Sequence, residues 1–402
     1  MLADKLYNLK SFRKQFDAVI ILSVCRTIEN IDWNYSENEL LGTIDWNNII
    51  SIASALAYSK KNEHLDASLR ISQTVILERS TSALQKEAAA VILLSLTNNP
   101  AVQLAIERNY LEQDFQNNLP FTLKLQNDRL TFCNSIILEE TVIQLNRFQN
   151  DVYICQSKND SISISAPTSA GKSFILCNIL IEKLLQKQTN IIYVVPTRAL
   201  ISQVESDLRE LLSKYNLSAV NVTTVPQNID NEKISNIFVF TQERLHWFLC
   251  ECPNLPVDIF VVDEAHKIED SYRGILLQQK IEQVVNGNPN VKVYFSSPFT
   301  SNPEILLENV KNNSTKDKVN TQFVAVNQNL IYATQVPRKV DKWKLSLCLI
   351  DKSIDLGVIT LQNRPNGEFK KMAFVANSFS NNGTGNIIYS NGAAESEKIA
   401  LT

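Results

Sequence analysis

The chain predicts an α/β fold with a mostly parallel sheet, preceded by an all-α segment, and three observations carry that prediction. Five short apolar runs recur in the middle of the chain: Ser161-Ile-Ser-Ile-Ser165, residues 190–195, residues 236–240, the run ending at Val261-Val262, and Val291-Lys-Val-Tyr-Phe295. Helical stretches such as residues 200–215 and 274–285 lie between them, which is the alternation of right-handed βαβ units. The third observation is where turns are absent. Gly42 is the only glycine before Gly171, and Pro100 and Pro120 are the only prolines before Pro167. A stretch with so few turn residues favours helix.

Within that first stretch, amphipathic runs fall at residues 47–59, 66–80, 83–97 and 101–112. In the third, Leu84, Ala88, Val91 and Ile92 recur at helical spacing. Asn98-Asn99-Pro100 breaks the chain before the fourth. Residues 1–140 are expected to form an all-α accessory domain, compatible with helical-hairpin repeats though with no period that names a repeat family, and serving as a surface for a protein partner, a guard over the central segment or a purely structural element.

The central segment, expected over residues 141–335, carries the chemistry. Ser161 to Ser165 runs into Ala166-Pro-Thr-Ser-Ala-Gly-Lys-Ser173 and then into an apolar helical stretch. Strand, small-residue loop and helix in that order build a phosphate cradle. Backbone N–H groups of Thr168, Ser169, Ala170 and Gly171 wrap the anion, Lys172 neutralises it, and the Ser173 hydroxyl can ligate a divalent ion. Ala166 stands where such loops usually carry their first glycine. Further on, an apolar strand ends in Asp263-Glu264, two carboxylates at a strand end where open α/β sheets place their ligands. Together the two motifs imply ATP and Mg²⁺.

These motifs resemble those of superfamily 2 helicases of the DEAD/DEAH-box kind, over roughly residues 145–310. The loop ending Gly171-Lys172-Ser173 is similar to motif I, Pro196-Thr-Arg-Ala-Leu200 to motif Ia, and Asp263-Glu-Ala-His266 to motif II. Thr241-Gln-Glu-Arg-Leu245 resembles the neighbouring Thr-Pro-Glu-Arg-Leu, and Arg147-Phe-Gln149 the region whose glutamine reads adenine. The resemblance implies a RecA-like P-loop NTPase domain. It implies that Lys172 holds the β- and γ-phosphates, Ser173 and Asp263 hold Mg²⁺, Glu264 activates water, and His266 senses the γ-phosphate. It also implies that Thr197, Arg198, Thr241 and Arg244 contact nucleic-acid phosphates, which would give little sequence preference and marked salt dependence. Where the family carries Ser-Ala-Thr, this chain has Ser296-Ser297-Pro298, and Asn302-Pro303-Glu304 follows one residue late. That departure touches the coupling of hydrolysis to strand separation, not the nucleotide site.

Residues 336–402 are expected to hold a β-hairpin linker, alternating over residues 342–349 and 356–362, and then a strand and helix resembling the opening of a second RecA-like domain, at residues 385–391 and 393–401. On this reading the chain is truncated, ATP hydrolysis is weak for want of the second domain's arginines, and unwinding is absent. The leading function is the N-terminal part of an ATP-dependent helicase or translocase. A nucleotide-gated nucleic-acid-binding switch that does not unwind is the alternative, and an interaction protein with a vestigial site is the third reading. Antiviral defence or genome maintenance is the expected setting, and DNA and RNA are not separated.

Composition bounds the partners. There are 39 Lys and Arg against 42 Asp and Glu, a net charge of −3, so any nucleic-acid track must be local. Seven cysteines are scattered, and the close pair Cys250-Glu-Cys252 has poor metal spacing; both point to a reducing cytoplasm. No apolar run reaches the ~20 residues of a membrane helix, and Lys5, Lys10, Arg13 and Lys14 interrupt any leader-like core.

Overall fold

The computed structural model describes residues 2–28, 31–226, 234–298, 300, 302–308, 310, 315–349, 352–361, 364, 366–378, 387–390 and 392–401. The chain divides into two compact units, one formed by Met1–Pro120 with Val326–Thr402 and the other by Phe121–Ala325. The sequence boundaries at 140 and 335 therefore differ from the breaks between compact units, and both ends of the chain contribute to one unit.

The continuous unit is built on a seven-stranded, wholly parallel sheet. From one edge to the other its strands are Lys316–Asn320, Ser161–Ser165, Lys292–Ser297, Ile259–Val262, Asn190–Val194, Ser235–Phe240 and Val220–Thr223. The central strands are buried along their whole length, as strands covered on both faces must be. Successive side chains divide between two cores. Ile191, Tyr193, Ile237 and Val261 pack on one face against Ile175, Leu176 and Ile179 of the Lys172–Gln186 helix and Val204 and Leu208 of Arg198–Lys214. Ile192, Val194, Phe238, Phe260 and Phe295 pack on the other against Phe248 of the Gln242–Glu251 helix and Leu277 and Ile281 of Ser271–Gly287. This is the α/β class with mostly parallel sheet that the sequence predicts. The same unit carries the helix Phe121–Cys133 and a small hairpin, Ser135–Leu138 with Thr141–Gln144.

In the other unit, helices at Lys10–Thr27, Trp46–Leu56, Asn62–Leu77, Ala83–Ser95 and Asn99–Glu107 account for most of the N-terminal stretch. A capping box closes the start of Ala83–Ser95, with Ser82 and Gln85 bonding reciprocally, and Asn98 caps Asn99–Glu107 ahead of Pro100. The segment is not wholly helical. Ile31–Trp33 forms an edge strand of a four-stranded antiparallel sheet whose other members are Ser353–Thr360, Lys342–Cys348 and Leu330–Gln335. The expected C-terminal hairpin is the centre of that sheet. Of the strand expected at 385–391, Gly385, Asn386 and Asn391 lie outside the described residues and residues 387–390 are irregular; Ala393–Ala400 is helical.

Candidate active site

The phosphate loop begins where Ser161–Ser165 leaves the sheet. Its backbone makes one 3₁₀ turn over Thr168–Ala170, and Gly171 then takes a left-handed conformation, φ 76° and ψ 41°, to open the Lys172–Gln186 helix. Glycine is needed there twice over. L-residues avoid that conformation, and an added Cβ would stand 2.4 Å from Gln149 Nε2. Gln149 reaches the loop from the first turn of the Arg147–Lys158 helix, where it shares a capping box with Asn146. Its amide donates to the carbonyls of Ala170 and Gly171 at 3.4 and 3.3 Å, and Asn146 Nδ2 donates to Ala170 O at 3.1 Å. Gln149, expected to face adenine, here braces the loop from behind.

The Lys172 side chain is buried and turned into the loop, its Nζ donating to the carbonyls of Ala166 at 2.7 Å and Pro167 at 3.1 Å. Burial depresses the pKa of that ammonium below the usual lysine value, while the Glu264 and Asp263 carboxylates oppose the fall. Asp263 ends the Ile259–Val262 strand. One of its oxygens accepts from the Tyr193 hydroxyl at 3.2 Å and the other from the backbone N–H of Glu264 at 3.0 Å. Burial and then Asp263 push the Tyr193 phenol far above its ordinary range, so it stays a donor. Glu264 follows in a left-handed conformation, φ 52° and ψ 43°, unusual for a residue with a side chain and the kind of strain that collects at functional sites. His266 Nδ1 lies 3.3 Å from Glu264 Oε2.

Thr168, Gly171, Lys172, Ser173, Asp263 and Glu264 border one cavity of about 490 Å³. It continues between the two helices past Cys177, whose thiol burial pushes up to about 12, and reaches Asp207 and Glu210. Ser169 and Ala170 belong to the loop without lining the cavity. Behind the loop, Ser297 Oγ donates to Ile164 O at 3.3 Å and accepts from Thr300 Oγ1 at 2.8 Å, tying the Lys292–Ser297 strand to the strand that feeds the loop. Ser296 Oγ is buried with no hydrogen-bond partner among the described residues.

The two remaining motifs end neighbouring strands. Thr197 caps the Arg198–Lys214 helix by accepting from Leu200 N, and Arg198 beside it is exposed. Thr241 caps the Gln242–Glu251 helix by accepting from Arg244 N, and Arg244 donates to the Thr224 carbonyl. Both hydroxyls are thus engaged by helix N-termini. Sequence reasoning missed Tyr193 and Asn146, which reach the site from a neighbouring strand and from the helix before the loop. It also missed Arg273, whose guanidinium donates to Pro196 O at 2.9 Å and Glu243 Oε1 at 2.8 Å.

Residues 146–306 match the family model of the DEAD/DEAH box helicase. The match takes in the phosphate loop and the Asp263-Glu-Ala-His266 segment, so over those residues the chain is similar to that family. Among relatives, the ATP-dependent DNA helicase Hel308 of Thermoplasma volcanium is 31% identical over 156 residues, 38% of this chain and 23% of that protein. The mRNA transport homolog 4 of Caenorhabditis elegans is 29% identical over 161 residues, 40% of this chain and 15% of that one. The chain thus spans less than a quarter of the length of these relatives. A solved structure of the helicase Lhr of Mycobacterium smegmatis, bound to ssDNA and AMP-PNP, is 22% identical with a TM-score of 0.35, over 43% of this chain and 25% of that one. Six of the seven strands of the parallel sheet, the phosphate loop and the Asp263-Glu264 strand end fall within the matched segment, and the edge strand Lys316–Asn320 lies beyond it. Among the described residues no helix is long and apolar enough to cross a membrane.

Proposed function

We propose that the helicase domain binds ATP with Mg²⁺ in the cavity beside the phosphate loop and uses its hydrolysis to act on nucleic acid as a helicase or translocase. The observation that carries this reading is the meeting of one ammonium, Lys172, with the paired carboxylates Asp263 and Glu264 around a cavity floored by a glycine-opened helix N-terminus. Phosphoryl transfer to water asks for position and charge neutralisation more than covalent chemistry. Lys172 would exchange its two loop carbonyls for β- and γ-phosphate oxygens. The backbone N–H groups at the start of the Lys172–Gln186 helix would take the remaining charge. Glu264 would orient the attacking water and accept its proton, and His266 beside it would register whether the γ-phosphate is present.

The donor set fits Mg²⁺: a hydroxyl at Ser173 and a carboxylate at Asp263 are hard oxygen ligands that leave room for waters and phosphate oxygens. When bound, that ion would neutralise charge on the phosphates. Tyr193 keeps Asp263 oriented for the task. Among the described residues lining the cavity, Lys172 is the one cation and no arginine is present. An arginine at the transferred phosphate is worth roughly 10³–10⁵ in turnover, so slow hydrolysis is expected of this chain. Thr197, Arg198, Thr241 and Arg244 would meet the phosphates of a DNA or RNA strand, the two threonines through the helix N-termini they cap.

The test is steady-state ATP hydrolysis and binding of a fluorescent ATP analogue, with and without single-stranded DNA or RNA, using Lys172→Ala and Glu264→Gln. Binding lost in the first variant, with turnover lost but binding kept in the second, is the expected result. Binding that survives Lys172→Ala would refute the assignment. Turnover that ignores both polymers would favour a nucleotide-gated switch instead.

A further inference from the structure

One side chain ties the Asp263-Glu264-Ala265-His266 segment to both of the loops assigned to nucleic acid. After Glu264 the chain makes a 3₁₀ turn over Ala265–Glu269 and enters the Ser271–Gly287 helix. That helix cannot shift freely on the turn. A Cβ at Gly274 would meet the carbonyl oxygen of Ile268 at 2.0 Å, so the two backbones touch directly, and Gly274 N donates to Asp270 O at 2.7 Å. The residue before this contact is Arg273. Its Nη2 donates to the carbonyl of Pro196, immediately before Thr197 and Arg198, and its Nε donates to the carboxylate of Glu243, between Thr241 and Arg244.

We propose that Arg273 is a positioning residue that couples the nucleotide site to nucleic-acid binding, an inference that rests on the function proposed above. Its rigid fork donates to two different elements at once, which a point charge on a flexible stem cannot reproduce. Glu264 holds a strained backbone at the start of the same segment, so a change of charge at the γ-phosphate position acts on a link that has somewhere to relax. The 3₁₀ turn and the first turn of the helix then move together because Gly274 leaves no gap between them. Arg273 carries that displacement to the Pro196 carbonyl and the Glu243 carboxylate, and with them to the helix N-termini capped by Thr197 and Thr241. The guanidinium and its carboxylate are both more than a third exposed, at 38% and 44%. Half-solvated ion pairs add little to stability, so the contact's role lies in registration between loops rather than in holding the domain together.

The experiment measures thermodynamic coupling in the full chain. A labelled single-stranded oligonucleotide is titrated by fluorescence anisotropy with and without AMP-PNP and Mg²⁺, and binding of a fluorescent ATP analogue is measured separately. In the unsubstituted protein AMP-PNP is expected to change the oligonucleotide Kd by about fivefold or more, the lower end of ordinary allosteric coupling. Arg273→Gln is expected to bring that ratio close to one while leaving the Kd for the ATP analogue and the nucleotide-free Kd for the oligonucleotide unchanged within error. Arg273→Lys, which keeps the charge and loses the fork, should lose most of the ratio, and Glu243→Gln part of it. A ratio in Arg273→Gln and Arg273→Lys equal to that of the unsubstituted protein overturns the proposal, as does an unsubstituted protein that binds both ligands with no coupling. Failure of the unsubstituted protein to bind the ATP analogue at all is a different result: it removes the nucleotide assignment, and this inference with it.

Discussion

Replacing Gly171 by alanine tests the geometry of the phosphate loop without touching a charge. Two costs can be separated. Alanine in the left-handed conformation held by Gly171, φ 76°, costs about 1–2 kcal/mol. The added methyl would also stand 2.4 Å from Gln149 Nε2, so the amide must move, losing its long bonds to Ala170 and Gly171 and disturbing its 2.9 Å bond from Asn146 N. Bonds of 3.3 to 3.4 Å count for little, and the reciprocal cap is worth about 1 kcal/mol. The sum is about 2–3 kcal/mol, which corresponds to amide exchange in the buried Ser161–Ser165 strand roughly 30- to 150-fold faster where exchange follows opening of the unit. Hydrogen exchange read by mass spectrometry follows this unit separately from the other. In a Gln149→Ala background the steric share disappears, and Gly171→Ala should then cost only the roughly 1–2 kcal/mol of backbone conformation. Equal costs in the two backgrounds would refute the contact with Gln149. Costs under about 0.5 kcal/mol in both would refute the conformational argument.

Three further outcomes are expected. Tyr193→Phe removes the donor that orients Asp263 and should raise the Mg²⁺ concentration needed for nucleotide binding by about tenfold, the lower end for losing such a supporting bond; an unchanged Mg²⁺ dependence would contradict that role. Lys172 has a depressed pKa in the folded chain, so between that value and the ordinary 10.5 the unfolded chain binds more protons: through this window rising pH increases stability while nucleotide affinity falls. Affinity that stays flat up to pH 10.5 would count against a buried, charged lysine at the phosphates. In the other unit, Arg26 pairs at 2.7 Å with Glu78, which is 1% exposed. Burial would raise the Glu78 carboxyl, but donations from Ser80 and the Arg26 charge outweigh it and hold the pKa below 4.5, so Glu78 stabilises the fold above that value and stops doing so as pH falls through its lowered pKa. Arg26→Ala lets burial dominate, so acid unfolding followed by circular dichroism should begin at higher pH. Its cost at neutral pH should lie between the roughly 1 kcal/mol of exposed pairs and the roughly 3–5 kcal/mol of buried ones.

What could be read from the sequence was whatever the chain writes locally. Ser161–Ser165, Asn190–Val194 and Ser235–Phe240 announce themselves because strands buried on both faces become apolar runs or small-residue runs with turn chemistry at one end. Lys316–Asn320 does not. Its residues are Lys-Asp-Lys-Val-Asn, mostly exposed, and its strand character comes from pairing along Ser161–Ser165 at the sheet edge. Ile31–Trp33 is three residues long, too short to carry a period, and exists as a strand because Ser353–Thr360 lies beside it. The helix Phe121–Cys133 buries no residue and so lacks the apolar stripe that would reveal it. The site divides the same way. Gly171, Lys172, Ser173, Asp263 and Glu264 sit in contiguous motifs, whereas Tyr193 is placed against Asp263 by the register of two strands that are far apart in sequence. Arg273 acquires its partners only when three helix starts converge.

The pairing of Ile31–Trp33 with residues 357–359 has a consequence for how the protein is made. More than three hundred residues separate the two strands, and the whole of the other unit lies between them. During translation at roughly 5–20 residues per second, the short strand near the start of the chain waits tens of seconds for its neighbour to leave the ribosome. The parallel-sheet unit, contiguous in sequence, can collapse meanwhile. Of the two units, the one that joins Ile31–Trp33 to Ser353–Thr360 must therefore be completed second, and until then its early helices carry an unpaired strand. A nascent chain in that state is the one most exposed to mispairing with its neighbours on the same message.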